Sequence, residues 1–196
     1  YGERLPLSMT VTDNVDVAKG VFSYTTDGQT YTVIQEVEGA QGVPVQTLSY
    51  SWDISGLPEG EIKVRFEAYD SAGHHNHLLS GGGEIETTYM IDHTAPAKIA
   101  KAAAYGAEGY VERTWQAAEE EDVSLYRIYR ASASRGDYTL LYEGAVKNYY
   151  DTAVAAGEKY YYKVSAVDLA GNEGEKSDYA FGCVLPDTTA PVVTGI

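Results

Sequence analysis

Apolar and polar residues alternate with period two in several stretches of the chain. Tyr50, Trp52 and Ile54 share one face of an extended segment while Ser49, Ser51 and Asp53 take the other. In the same way Ile62, Val64, Phe66 and Ala68 oppose Lys63, Arg65 and Glu67. A strand sends successive side chains to opposite faces, so this spacing predicts strands with one face in a core and one in water. Turn chemistry separates such runs at Asp27-Gly28, Leu57-Pro58-Glu59-Gly60, Ala72-Gly73, Arg135-Gly136-Asp137, Ala156-Gly157 and Gly171-Asn172. Short strands punctuated at this rate predict an all-β sandwich architecture. Residues 116–122 (QAAEEED) favour helix, but the run is too short to hold one and leads at once into the strand pattern of 125–130, which predicts an acidic loop.

The pattern repeats. Residues 66–73 read FEAYDSAG and residues 164–171 read VSAVDLAG, matching Ala, Asp, Ala and Gly at an offset of 98. DHTAP at 92–96 returns as DTTAP at 187–191, an offset of 95. Two units of nearly equal length are therefore expected: a sandwich over 1–92, a short linker at 93–97, a second sandwich over 98–186, and a linker at 187–196 leading towards a following domain. Pro96 and Pro191 fix φ and bias the residue before them to extended structure, which suits stiff connectors and an elongated, end-to-end arrangement. On this reading the chain is a piece of a longer multidomain protein.

Composition narrows the function classes. Of 23 aromatic residues 18 are tyrosine, a residue that favours pleated, half-buried surfaces. A hydrophobic share of 44% and a charged share of 22% argue against disorder. No apolar run approaches the roughly 18 residues of a membrane span. With 14 basic against 29 acidic residues the chain carries −15, which disfavours nucleic acid and anionic lipid as partners. The single cysteine, Cys183, excludes an internal disulfide and a thiolate metal cluster.

Particular residues of the second half carry a family resemblance. They are Trp115, the Tyr126-Arg127-Ile128-Tyr129-Arg130 run, Tyr149 and Asp151, then Val154-Ala155-Ala156-Gly157-Glu158-Lys159-Tyr160. Through them the stretch of about 97–186 resembles a bacterial fibronectin type III domain. The resemblance implies a corner role for Tyr160, its hydroxyl bonding back to the preceding turn. It implies inward Tyr162, Val164 and Ala166 and outward Tyr161, Lys163 and Ser165. Arg113 departs from the pattern by standing where the family has an apolar inward residue, so a bulge or a satisfied buried charge is expected there. Through Asp13-Asn14-Val15, Tyr24-Thr25-Thr26-Asp27-Gly28, Leu57-Pro58-Glu59-Gly60 and Tyr69-Asp70-Ser71-Ala72-Gly73, residues 1–92 are similar to bacterial immunoglobulin-like repeats, with Ile62 at the corner position. Both resemblances imply an exported, extracellular or cell-surface bacterial protein. Its function would be that of non-catalytic spacer or interaction modules. The alternative is the accessory region of a secreted glycosidase or protease that positions a catalytic domain or touches polysaccharide through Tyr149, Tyr150 and Tyr161. The partners expected are an unidentified protein, cell-wall polysaccharide and neighbouring domains of a monomeric chain.

Several residues invite more chemistry than this. Ser71, Asp70, His74, His75 and His77 put a nucleophile, a carboxylate and bases close in sequence, but neighbours along one loop point in different directions. His74, Asn76 and His77 could wrap a Zn²⁺ or Ni²⁺ ion, although the connection of about 71–83, with its Ser80-Gly81-Gly82-Gly83 end, reads as a surface loop. Arg135-Gly136-Asp137 spells an integrin-recognition tripeptide yet falls where Gly-Asp is ordinary turn chemistry. Glu119, Glu120, Glu121 and Asp122 read as a solvated acidic run. Residues 1–94 hold four bases against fourteen acids, and sandwich topology could bring Asp13, Asn14 and Asp16 towards Asp92, with Asp168 and Asn172 facing the same junction. A calcium ion between the units is thus geometrically allowed, against the plainer reading of scattered surface carboxylates. No catalytic, cofactor-binding or metal-binding residue is assigned from the sequence.

Overall fold

Every regular element among the described residues is a β-strand. The computed structural model describes residues 2–76, 85–186, 188 and 190–192, so His77, the 80–83 run and Asp187 lie outside the described residues. The chain divides into two units, Tyr1–His93 and Thr94–Ile196.

In the first unit, β1 (Arg4–Thr12) pairs antiparallel with β4 (Val45–Asp53) as a two-stranded sheet. The facing sheet runs β3 (Thr32–Glu38), β2 (Lys19–Thr25), β5 (Gly60–Tyr69). Two further strands, β6 (His75–Asn76) and β7 (Glu86–Ile91), both pair with β5. The alternation read from the sequence is the one that packs. Ile62, Val64 and Phe66 of β5 are buried against Leu5 and Leu7 of β1, with Phe22 across the sheet from Phe66 at a ring-centroid distance of 4.8 Å. Tyr24 and Trp52 meet at 4.7 Å and extend this core from both sheets.

The β2–β3 turn illustrates how the sequence sets local structure. Gly28 takes φ +72°, a left-handed conformation that glycine adopts without Cβ strain. Asp27 then accepts hydrogen bonds from the backbone N–H groups of Thr30 (2.9 Å) and Gln29 (2.8 Å) and from the Thr25 hydroxyl (2.8 Å). Those donors, Thr30 first, pull the Asp27 carboxyl from its ordinary 3.8 down to about 2. A carboxyl with a depressed folded pKa stabilises the fold above its unfolded pKa, and that contribution is lost as pH falls through the folded value. In a carbon-detected NMR titration Asp27 should therefore titrate near 2, and Asp27→Asn should flatten the acid limb between about pH 4 and 2.

The second unit has a three-stranded sheet, β12 (Asn148–Asp151), β9 (Tyr110–Thr114), β8 (Ala103–Ala107). It faces a four-stranded one, β11 (Thr139–Gly144), β10 (Val123–Ala131), β13 (Lys159–Asp168), β14 (Ala180–Cys183). Tyr162, Val164 and Ala166 point inward as expected and are fully buried, together with Ile128, Val111 and Val184. Trp115 lies one residue beyond β9 and packs on Tyr126 at 5.5 Å. Residues 116–122 form no helix, in keeping with the acidic-loop reading.

The outward face of β13 departs from the expectation. Tyr161 and Lys163 are half-exposed, but Ser165 is buried because Glu173 folds over it. Glu173 accepts hydrogen bonds from the Ser165 hydroxyl (2.6 Å), the Tyr129 hydroxyl (2.6 Å) and Arg127 Nη1 (2.7 Å). Burial alone would raise the Glu173 pKa, but these three donors outweigh it and hold the carboxyl below its ordinary range. Burial and the bond to Glu173 push the Tyr129 hydroxyl up to about 12. The sheet thus carries a small polar layer over its solvent side.

Candidate functional site

Of the residues that suggested catalysis, Asp70, Ser71, His74 and His75 follow the end of β5 in the first unit. Asp13, Asp16, Asp70, His74 and His75 line a shallow cleft of about 150 Å³ floored by Val17, Ala68 and Tyr69. The turn after β5 creates it: Gly73 N–H bonds back to the Asp70 carbonyl at 3.2 Å, and His74 N–H donates to the Asp70 carboxylate at 2.8 Å. The His74 ring then returns to the same carboxylate, with Nδ1 2.8 Å from Oδ2. That bond is the leading cause of the depressed Asp70 pKa. His75 stacks on Tyr69 at 5.0 Å.

Ser71 is engaged elsewhere. Its hydroxyl donates to Asp16 Oδ2 at 2.6 Å and its N–H to Asp16 Oδ1 at 3.2 Å, and the hydroxyl bond is the first cause of the lowered Asp16 pKa. Asp13 accepts from the N–H groups of Val15 (2.8 Å) and Asp16 (3.1 Å), which fixes the loop after β1. A nucleophilic relay needs the serine hydroxyl on a histidine nitrogen and the carboxylate on the other nitrogen. Here the serine gives its proton to one carboxylate and the histidine faces a different one. The cluster staples the two loops together through residues 55 positions apart, Asp16 and Ser71.

The second unit places the other candidates on separate surfaces. Asp168 is buried and accepts from both the N–H and the side-chain amide of Asn172 at 2.9 Å, so this pair closes the turn after β13. Arg135, Gly136 and Asp137 form the β10–β11 turn, with Gly136 N–H on the Ala133 carbonyl at 3.0 Å. Glu120 accepts from the Ala97 N–H at 2.8 Å, and the neighbouring Glu119, Glu121 and Asp122 are solvent-facing. Of the three tyrosines considered for polysaccharide, Tyr149 differs from the expectation. Its ring is half-buried on the core, 4.8 Å from Tyr142. Tyr150 is exposed, bonds Glu112 at 3.1 Å and meets Tyr110 edge-on at 5.5 Å. Tyr161 joins Tyr179 (5.6 Å) and Phe181 (5.8 Å) in an aromatic strip beside Lys159, which lies 4.7 Å over Phe181. Tyr179 and Phe181 were not singled out in the sequence; pairing across β13 and β14 brings them to Tyr161.

Tyr160 behaves as the resemblance implied: its hydroxyl accepts the Ala155 N–H at 3.1 Å, five residues back. Tyr160→Phe should cost the second unit about 1 kcal/mol, the net worth of one such bond. Urea unfolding read through Trp115 in a Trp52→Phe background checks this, because the chain has one tryptophan in each unit. Arg113 does not fit either expectation. The register of β9 is unbroken on both sides, and the buried guanidinium makes one hydrogen bond, from Nη1 to the Ala103 carbonyl. Among the described residues its Nε and Nη2 have no hydrogen-bond partner, and burial draws its pKa down to about 10.

No family model matches the chain. Over 132 residues, 65% of the chain, it is 37% identical to an amylopullulanase of Thermoanaerobacterium saccharolyticum. Over 123 residues it is 37% identical to the amylopullulanase of Thermoanaerobacter thermohydrosulfuricus. The chain spans only 9% and 8% of the length of these curated relatives. Half of it is 34% identical to the whole of a Fn3-like protein from Clostridium thermocellum, with a TM-score of 0.42. The fibronectin(III)-like modules of Clostridium thermocellum CbhA align with all of this chain over 92% of their own at 16% identity, with a TM-score of 0.55. By fold the chain belongs with the fibronectin type III-like β-sandwich modules, and by sequence most of it is related to a segment of bacterial amylopullulanases.

Proposed function

We propose that the chain is a pair of non-catalytic accessory modules of a secreted bacterial glycosidase that acts on α-glucan, spacing or positioning a catalytic domain carried elsewhere in the same polypeptide. The observation that carries this reading is the 37% identity over 132 residues to a segment of an amylopullulanase. The geometry supports the absence of catalysis. Both sandwiches are filled by their own cores, and beside the cleft lined by Asp16, Asp70 and His74 the Ser71 hydroxyl and the His74 ring turn to different carboxylates. An extracellular setting fits the fold and the relatives. The first unit, with its two-stranded sheet against a larger one, is read as the immunoglobulin-like partner of the fibronectin type III-like second unit. The uninterrupted reading frame from which the chain derives tests the proposal. A glycoside hydrolase domain in that frame is expected, and a frame with only anchoring or surface-layer segments beside these modules would overturn it.

A further inference from the structure

The last strand of the second unit carries its bulk outward. The inward positions of β14 hold only Ala180 and Gly182, and a Cβ on Gly182 would strike the Val111 side chain at 2.6 Å. The positions that alternate with them carry large rings. Tyr179, just before the strand, is 49% exposed and Phe181 is 50% exposed, and neither ring is part of the buried core.

Pairing with β13 sets Phe181 opposite Tyr161, whose ring lies 5.6 Å from Tyr179 and 5.8 Å from Phe181. Tyr138, from the β10–β11 connection, borders the group, and burial, then the neighbouring Tyr179 and Tyr161 phenols, raises its pKa. Lys159 lies 4.7 Å over Phe181 and Lys163 lies 4.9 Å over Tyr138. Aromatic faces, phenol hydroxyls and ammonium donors thus meet on the solvent side of one sheet.

An exposed aromatic cluster with a polar border marks an interaction surface. Half of the 150–250 Å² that an aromatic side chain can bury, taken over three rings, leaves roughly 200–350 Å², well short of the about 800 Å² per side of a stable protein interface. A sugar ring suits the surface better, because its C–H face stacks on an aromatic ring while its rim of hydroxyls meets donors and acceptors at the border. With −15 on the whole chain, a neutral glycan is favoured over an anionic one. The rings also share no plane: Tyr161 meets Tyr179 at 68° and Phe181 at 43°. A flat β-1,4-linked ribbon touches such a surface at one ring, whereas an α-linked glucan turns between successive sugars and presents a face to each.

We propose that the strip of Tyr161, Tyr179 and Phe181, bordered by Tyr138, Lys159 and Lys163, binds α-linked glucan by stacking sugar rings on its aromatic faces. The choice of glycan rests on the accessory-module reading. The two fail separately, because the reading frame tests the accessory role and glucan binding tests the strip.

Native electrophoresis of the whole chain through gels carrying pullulan or soluble starch is the test. Both polysaccharides should slow the chain, and hydroxyethylcellulose and polygalacturonate should not. Phe181→Ala and Tyr179→Ala should each weaken the apparent affinity at least about tenfold, with the unfolding transition reported by Trp115 retained as the sign that the variant has folded. Tyr105→Ala, which removes an exposed ring from β8 of the facing sheet, should leave the affinity unchanged. In the unsubstituted chain, maltoheptaose should shift the amide resonances of residues 159–163 and 179–181. No retardation by either α-glucan, equal retardation by hydroxyethylcellulose or polygalacturonate, retardation undiminished in both strip variants, or shifts confined to other residues overturns the proposal.

Discussion

Asp151→Ala should cost the second unit about 3–5 kcal/mol, the usual penalty for breaking a buried charged cluster by removing one partner. Asp151 is 1% exposed and lies at the end of β12. Its carboxylate accepts from Arg130 Nη1 at 2.9 Å, the Tyr162 hydroxyl at 2.9 Å and the Ala153 N–H at 3.1 Å. Alanine leaves the buried Tyr162 phenol without its acceptor and takes the carboxylate from the part-buried Arg130 guanidinium, which keeps the Ala153 carbonyl at 2.8 Å, so the charge loses its counterion. For a unit of this size 1 kcal/mol moves the midpoint by roughly 4–8 °C, so the transition reported by Trp115 should fall by more than about 12 °C. That reported by Trp52, in the first unit, should not move. A smaller shift for Trp115, within about 4 °C, would mean that Asp151 is not what anchors Tyr162.

The second large effect has the opposite sign. Arg113→Met should stabilise the same unit by about 1–4 kcal/mol, although it deletes a charge, a hydrogen bond and a cation–π contact. The guanidinium is fully buried, 4.9 Å from the Tyr162 ring, and among the described residues it has a single hydrogen-bond acceptor and two unpartnered nitrogen positions. A buried cation so poorly compensated costs more in lost hydration than its contacts return, and methionine refills a similar length with a flexible apolar chain. Equilibrium urea unfolding of the whole chain, read through Trp115, decides the sign. A destabilised variant would show that the guanidinium is compensated in a way these contacts do not account for. Because Tyr162 touches both Arg113 and Asp151, the double variant should depart from additivity.

How much of this was legible beforehand depends on whether a feature is local. The paired runs at 66–73 and 164–171 fall on β5 and β13 and the turns after them, and the alternation of β5 gave its inward residues, because strand periodicity is written into consecutive positions, while those of β13 came with the family resemblance. The corner bond of Tyr160 spans five residues and came with the family resemblance. What escaped notice depends on pairing between distant segments. Ser71 reaches Asp16 across 55 positions, and Glu173 reaches Tyr129 across 44, so neither contact leaves a trace in local spacing. Ser165 read as solvent-facing from its parity alone, and only the lid formed by Glu173 buries it. The inward position of Arg113 came with the family resemblance, but that Nε and Nη2 find no partner among the described residues did not, since that depends on what the facing sheet offers.

The central claim is that these sandwiches are modules without chemistry of their own, and the most direct measurement is reducing-end release from pullulan and soluble starch by the purified chain. The account predicts no turnover above buffer at any pH between 4 and 9, a span of about five units that covers the ordinary titrations of carboxyl and imidazole groups. Sustained turnover that persists through repurification and is abolished by Asp70→Asn or His74→Ala would contradict it.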